Sequence, residues 1–152
     1  MKQQRLQLDQ LEKKLKVFIP ATKMIRPVGG WTKSIRTTLG MSLKQLADKL
    51  QITKQSMQEI ELREQKETIS IKTLREVAHA MEMDLVYGFV PKDGSLHQLI
   101  DRKAKELAIK IVSRTEQTMK LENQTVHSKR IKSAIKERID HIKKEMPKNL
   151  WN

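Results

Sequence analysis

The stretch SLKQLADKLQITKQSMQEIELR, running from Ser42 to Arg63, decides the fold. Ser42 can cap a helix start, and Gln45 three residues on completes the capping-box spacing. Leu43, Leu46, Ala47 and Leu50 then share one face of a first short helix. Thr53 can cap a second helix, whose inward positions are Met57 and Ile60. The two meet at a tight turn around residues 51–53, and Ala47 is small where the second helix must cross closely. Leu46, Leu50, Ile52, Met57 and Ile60 lock the pair together. That leaves Lys54, Gln55, Ser56 and Gln58 on the open face of the second helix, near its N-terminus.

Working outward, a helical pattern over Thr32–Thr38 precedes the pair and ends at Gly40, which suits a left-handed cap. Another follows it, capped by Ser70, with Ile71, Leu74, Val77, Ala78 and Met81 inward. The run Leu85-Val86-Tyr87-Gly88-Phe89-Val90 is β-branched and aromatic and stops at Pro91, so it reads as one strand. A lone strand needs a partner edge, and the same strand of a second copy is the economical one. At the N-terminus, residues 2–17 form an amphipathic pattern with Leu8, Leu11, Leu15 and Phe18 on one stripe. It stops at Pro20, and the Pro- and Gly-containing stretch 19–30 reads as a linker. After Ser95 a long helix carries Leu96, Leu99, Ile100, Leu107 and Ile111 and reaches toward Leu121, and 123–127 break it. Ser128 caps a last helix with Ile131, Ile135, Ile139, Ile142 and Met146 inward. Pro147 ends that helix and leaves Leu150-Trp151 as a tail. The boundaries are an arm over 1–18, a linker over 19–30, a central domain over 31–94 and a helical extension over 95–152.

Composition agrees with helices. The chain has 152 residues, is 38% hydrophobic and only 3% aromatic, so its cores are built from Leu, Ile, Met, Val and Ala. The absence of cysteine excludes disulfides and thiolate metal sites and fits a reducing cytoplasm. No apolar run, signal peptide or lipidation motif points to a membrane, so a cytoplasmic location is expected. Formal net charge is +13. A surplus of this size suits a polyanionic partner, whether nucleic acid, acidic protein or anionic membrane, and also fits a merely soluble basic protein. It is unevenly placed: nine Lys/Arg against two Asp/Glu over 1–36, eight against nine over 37–100, and fourteen against seven over 101–152. The basic character lies in the flanks, which can grip phosphates if the centre reads bases.

An exposed helix of this size fits the B-DNA major groove, with N-terminal residues reaching base edges. Gln55 and Gln58 each offer a donor and an acceptor that match adenine, and Lys54 can approach guanine or a phosphate. Ser42, Thr53 and Arg63 complete the expected DNA-contacting set. The Leu/Ala periodicity alone fits two ordinary helices of a bundle equally well. An enzyme is not expected, nor any cofactor or metal: His79, His97, His127 and His141 lie far apart, and no phosphate loop or nucleophile elbow occurs. The Lys-rich last helix is most simply a solvated face, and backbone phosphates or an acidic partner also suit it.

The register of the central stretch resembles the helix-turn-helix of the Cro/C1 (XRE-like) repressor family. Leu46-Ala47, Ile52-Thr53, Met57-Gln58-Glu59-Ile60-Glu61 and Thr73 through Met81 match its pattern, over about residues 32–92. Gln51 and Arg63 stand where the family usually has glycine, and Leu43 stands where a Gln is common. The resemblance implies an all-α fold, namely a five-helix Cro/C1-like core with one short β-strand, an N-terminal helical arm and a C-terminal helical extension. It further implies a homodimer, paired through Leu85, Val86, Tyr87, Phe89 and Val90, that reads an inverted-repeat operator in double-stranded DNA as a repressor.

Nearly the whole chain also resembles the family called mobile mystery protein A, through Gly30-Trp31, Ile35-Arg36, Leu39–Ser42, Leu85–Pro91, Thr118–Gln124 and Leu150-Trp151. That resemblance implies an antitoxin-like autoregulator paired with a Fic-domain protein. Thr118, Glu122 and Asn123 fit the Ser/Thr-x-x-x-Glu-Gly/Asn motif of Fic regulators, in which the Glu pairs with a catalytic Arg. Thr118 and Glu122 are one helical turn apart and can face one groove. Chance, or a role in dimer packing, accounts for the same residues without a partner.

Overall fold

The computed structural model describes residues 2–117 and 124–152, and the chain divides into two compact units, one of residues 23–88 and the other of residues 1–22 with 89–152.

In the first unit, helices α2 (Trp31–Thr38), α3 (Leu43–Lys49), α4 (Lys54–Gln65) and α5 (Ile71–Ala80) follow one another. Leu46, Ala47, Met57, Val77 and Met81 form the buried centre, with Ile35, Leu43, Leu50, Ile52 and Ile60 packed against it. Ser42 and Gln45 make the reciprocal capping box, while Thr53 and Ser70 each accept the backbone N–H three residues on. Each side chain thereby satisfies a donor that the first helical turn leaves open.

The C-termini share one device. In α2–α5 the residue after the cap is left-handed: Gly40 at φ 67°, Gln51 at 56°, Glu67 at 60° and Glu82 at 59°. The next residue's N–H then reaches back to the helix, as Met41 to Arg36 O (2.9 Å), Ile52 to Ala47 O (3.0 Å), Thr68 to Arg63 O (2.9 Å) and Met83 to Ala78 O (2.9 Å). These are four Schellman motifs in succession. Only Gly40 adopts that conformation without the steric penalty of a Cβ.

Four helices, not five, make up this unit, and no described residue lies in a strand. Residues 83–91 carry no regular secondary structure, because a strand needs a partner edge and none of the described residues supplies one. Val86, Tyr87 and Phe89 stand exposed. Ile71, assigned inward from its spacing, is exposed at the first turn of α5.

In the second unit, α6 (Leu96–Gln117) and α7 (Gln124–Glu145) lie side by side. They run antiparallel, since Asp101 near the start of α6 pairs with Lys143 near the end of α7. Ala104, Ala108, Ile142 and Leu150 are buried at the contact, flanked by Leu107, Ile111, Ile135 and Ile139. Two alanines one turn apart let the helices approach closely. Leu150 is no tail: it lies in a closing 3₁₀ turn, Lys148–Trp151, and is 2% exposed. Ser95 caps α6 through the N–H of Gln98. Arg102 holds the preceding turn by bonding Asp93, and its hydrogen bonds keep the carboxyls of Asp93 and Glu106 below their ordinary values. α7 starts at Gln124, so Ser128 is interior rather than a cap and 124–127 do not break the helix. The expected extension of α6 to Leu121 lies outside the described residues.

Helix α1 (Lys2–Leu15) belongs to this same unit, and His97 of α6 meets both Asp9 (2.9 Å) and Glu12 (3.1 Å) of α1. It continues as a 3₁₀ segment, Lys16–Lys23, instead of giving way to a linker. Pro20 is tolerated there because its fixed φ suits 3₁₀ geometry, and irregular chain begins only after Lys23.

The left-handed Gln51 costs about 1 kcal/mol relative to glycine. Gln51→Gly is expected to raise the unfolding free energy by about that amount, measured by urea denaturation; an unchanged or lower midpoint contradicts the turn geometry.

Candidate nucleic-acid interface

α4 is tied to α2 by acids that its sequence gives no reason to bury. Glu61 and Glu64 are 7% and 6% exposed. Glu61 takes the Arg36 guanidinium in a two-point grip, Oε1 accepting from Nε at 2.6 Å and Oε2 from Nη2 at 3.2 Å. The third arm of Arg36 donates to Met41 O at 3.0 Å. Glu64 accepts from the backbone N–H groups of Trp31 (2.6 Å) and Thr32 (3.0 Å), so its carboxylate caps the N-terminus of α2. A negative group at the positive end of a helix is favourable. Gly30, at φ 85°, makes room: a Cβ there would meet Glu64 Cδ at 3.0 Å.

With Met57, Glu61 and Glu64 turned inward, the outer face of α4 is determined. Lys54, Gln55 and Gln58 are exposed on it, and none makes a hydrogen bond or ion pair with a described residue. The amides of Gln55 and Gln58 are therefore available to an external donor and acceptor. Ser56 differs. It is half-buried, its N–H and hydroxyl are both engaged by Thr53 Oγ1, and that second bond measures 2.9 Å. Ser42 and Thr53 are exposed but committed as caps. Arg63 lies about 13 Å along the helix from Lys54 and reaches Glu59 at 3.5 Å. The structure thus brings Lys54, Gln55 and Gln58 into one cluster and leaves Arg63 apart.

Lys33, Leu62 and Gln65 were not legible as neighbours of this cluster. With Lys54 and Gln58 they line a cleft of about 350 Å³ that also reaches Gly29 and Leu43. Lys33 comes from α2, and only the packing of α2 on α4 places it there. Thr118, Glu122 and Asn123 lie outside the described residues.

The order of short capped helices, the tight turn and an exposed polar helix face define a helix-turn-helix domain. Residues 33–87 match the family model described as Helix-turn-helix, a match that points to a DNA-binding regulator. No curated protein and no solved structure matches the chain. No helix among the described residues is long and apolar enough to cross a membrane, and none of their His, Asp and Glu side chains group as a metal site.

Removing one partner of a buried ion pair costs about 3–5 kcal/mol, because the other charge is left uncompensated. Glu61→Ala is expected to lower the thermal unfolding midpoint sharply, and the double variant Arg36→Met/Glu61→Leu to recover most of the loss. Equal destabilisation by both contradicts this account.

Proposed function

We propose that the protein is a sequence-specific, double-stranded DNA-binding transcriptional regulator that represses its own gene and acts by binding rather than catalysis. The observation that carries this reading is the cluster Lys54, Gln55 and Gln58, exposed and unpaired among the described residues at the start of a helix whose other face is locked. α4 enters the major groove; Gln55 and Gln58 read adenine edges, and Lys54 reads guanine or holds a phosphate. Ser42 and Thr53, at the starts of α3 and α4, present helix N-termini to phosphates, and Arg63 adds a backbone contact farther along. The protein works as a homodimer on an inverted repeat. The segment from Leu85 to Val90 supports this, since it lies outside any helix or ladder and leaves Val86 and Phe89 exposed at 73% and 80%.

An electrophoretic mobility shift on the DNA just upstream of the gene, with excess unrelated duplex, tests the reading. The parent protein is expected to give a discrete shift that survives competitor. Gln55→Ala/Gln58→Ala should lose about 2–6 kcal/mol of preference for that site while retaining weak binding to any duplex. Binding that unrelated duplex removes completely would overturn sequence-specific recognition.

A second reading is carried by the sequence alone. The motif Thr118-x-x-x-Glu122-Asn123, with the resemblance of both flanks to mobile mystery protein A, supports a role as the antitoxin-like partner of a Fic-domain protein. In that role Glu122 enters the partner's active site and pairs with its Arg in a geometrically specific bond. Co-expression with the Fic-domain protein is the check: Glu122→Ala should release its activity and leave operator binding intact. Full suppression by the variant sinks this reading.

A further inference from the structure

α7 uses one face to build the helical hairpin and leaves another with no assigned work. Of its apolar stripe, Ile135, Ile139 and Ile142 pack at the α6 contact, and Ile131, on the same stripe, is half-buried. Lys129, Lys132 and Lys136 follow at spacings of three and four residues, which puts all three on one flank beside that stripe. All three are exposed, and none forms an ion pair with a described residue. Lys143 continues the same flank two turns on but is occupied by Asp101. The ridge of three free ammonium groups spans about 10 Å along the helix axis, a rise over which one strand of B-DNA presents about three phosphates.

We propose that this ridge is a second, sequence-independent contact with the phosphate backbone of duplex DNA, outside the helix-turn-helix domain. The inference rests on the DNA-binding reading above and adds to it a separate source of affinity. Two features argue for phosphates over other anionic partners. A membrane-surface helix needs an exposed apolar face next to its lysines, and α7 packs Ile135, Ile139 and Ile142 against the α6 contact, with none of these isoleucines exposed. A protein interface is anchored on buried aromatic or aliphatic side chains and is depleted of lysine, yet none of the described large apolar side chains of α7 is exposed. Ammonium groups on flexible stems, by contrast, suit a row of phosphates without base-specific geometry.

Each neutralised phosphate releases counterions and steepens the salt dependence by about 0.9 in log–log slope. The test is fluorescence anisotropy of the full chain on a labelled 30-base-pair mixed-sequence duplex and on the upstream DNA, across a potassium chloride series. Lys129→Gln/Lys132→Gln/Lys136→Gln is expected to make the slope shallower by about 3 on both duplexes. Between about 50 and 200 mM salt the variant should therefore lose about 40-fold less affinity than the parent. Its preference for the upstream DNA should be unchanged, and the triple Lys→Arg variant should restore the parental slope. Circular dichroism of the Gln variant is expected to match the parent, since all three side chains are exposed. A parental slope in the Gln variant overturns the ridge and leaves base reading by α4 standing. A loss of upstream preference in Gln55→Ala/Gln58→Ala with the ridge effect intact separates the two sites. Should no duplex bind the parent at all, the ridge falls together with the DNA-binding reading. Unaltered DNA slopes with lost binding to phosphatidylserine vesicles would reassign the ridge to a lipid surface.

Discussion

Two carboxylates buried on one helix set the geometry on which the interface depends. Glu61 and Glu64 lie on the inner side of α4, where sequence periodicity leads one to expect apolar residues. Taking a carboxylate out of water is costly unless its oxygens are fully bonded. Here they are: Glu61 holds Arg36 at two points, and Glu64 accepts both N–H groups at the start of α2. No buried side-chain nitrogen or oxygen among the described residues lacks a partner. A satisfied polar network is directional in a way that hydrophobic contact is not. Rotating α4 by one residue would strand a guanidinium and both carboxylates at once. The face carrying Gln55 and Gln58 is thus held in rotation as well as in position, as a helix that reads base edges requires.

Local chain chemistry places the helices, and left-handed residues turn the corners between them. Three of the four Schellman turns put a side chain where glycine would be unstrained: Gln51, Glu67 and Glu82. These positions persist because the bonds to Ala47, Arg63 and Ala78 and the apolar residues that follow determine the chain path on both sides. The unit holds together with little local help from those residues, which fits a small core whose stability comes from packing. The α6–α7 hairpin solves a different problem. Its alanines bring two long helices together, and Leu150 folds back to close the end of the contact.

Charge is divided in the same spirit. The central stretch is almost neutral, and its Lys54, Gln55 and Gln58 are exposed on one face of α4. The flanks carry most of the surplus, and among the described residues several of their lysines make no ion pair. On α7, Lys129, Lys132 and Lys136 stay free among the described residues while Lys143 binds Asp101. Under the proposed DNA-binding function, such a division would separate recognition from affinity: the first depends on bonding geometry, the second on counterion release.

The N-caps Ser42, Thr53 and Ser70, the apolar positions Leu46, Ala47, Met57 and Val77, and the exposure of Gln55 and Gln58 were all legible in the sequence. Each is settled within about one helical turn, by side-chain-to-backbone bonding or by helical period. Gly40 was legible as a helix end for the same local reason. The left-handed Gln51, Glu67 and Glu82 were not, since nothing in those side chains favours the conformation and only the path of the chain imposes it. Nor were the buried roles of Glu61 and Glu64, the approach of Lys33 to α4, or the meeting of His97 with Asp9 and Glu12, whose partners lie 21 to 88 residues away. The tail read at Leu150 became a core residue because α6 offers it an apolar seat. The strand read over Leu85–Val90 carries no regular structure, since strand formation depends on a second edge that none of the described residues supplies. Local sequence was enough to start α3, α4 and α5 and to mark most of their apolar positions, Ile71 excepted, whereas the start of α7 was misread at Ser128. The tertiary structure decided which charges are buried and how α4 is oriented, because those depend on contacts between groups that local chain geometry leaves far apart.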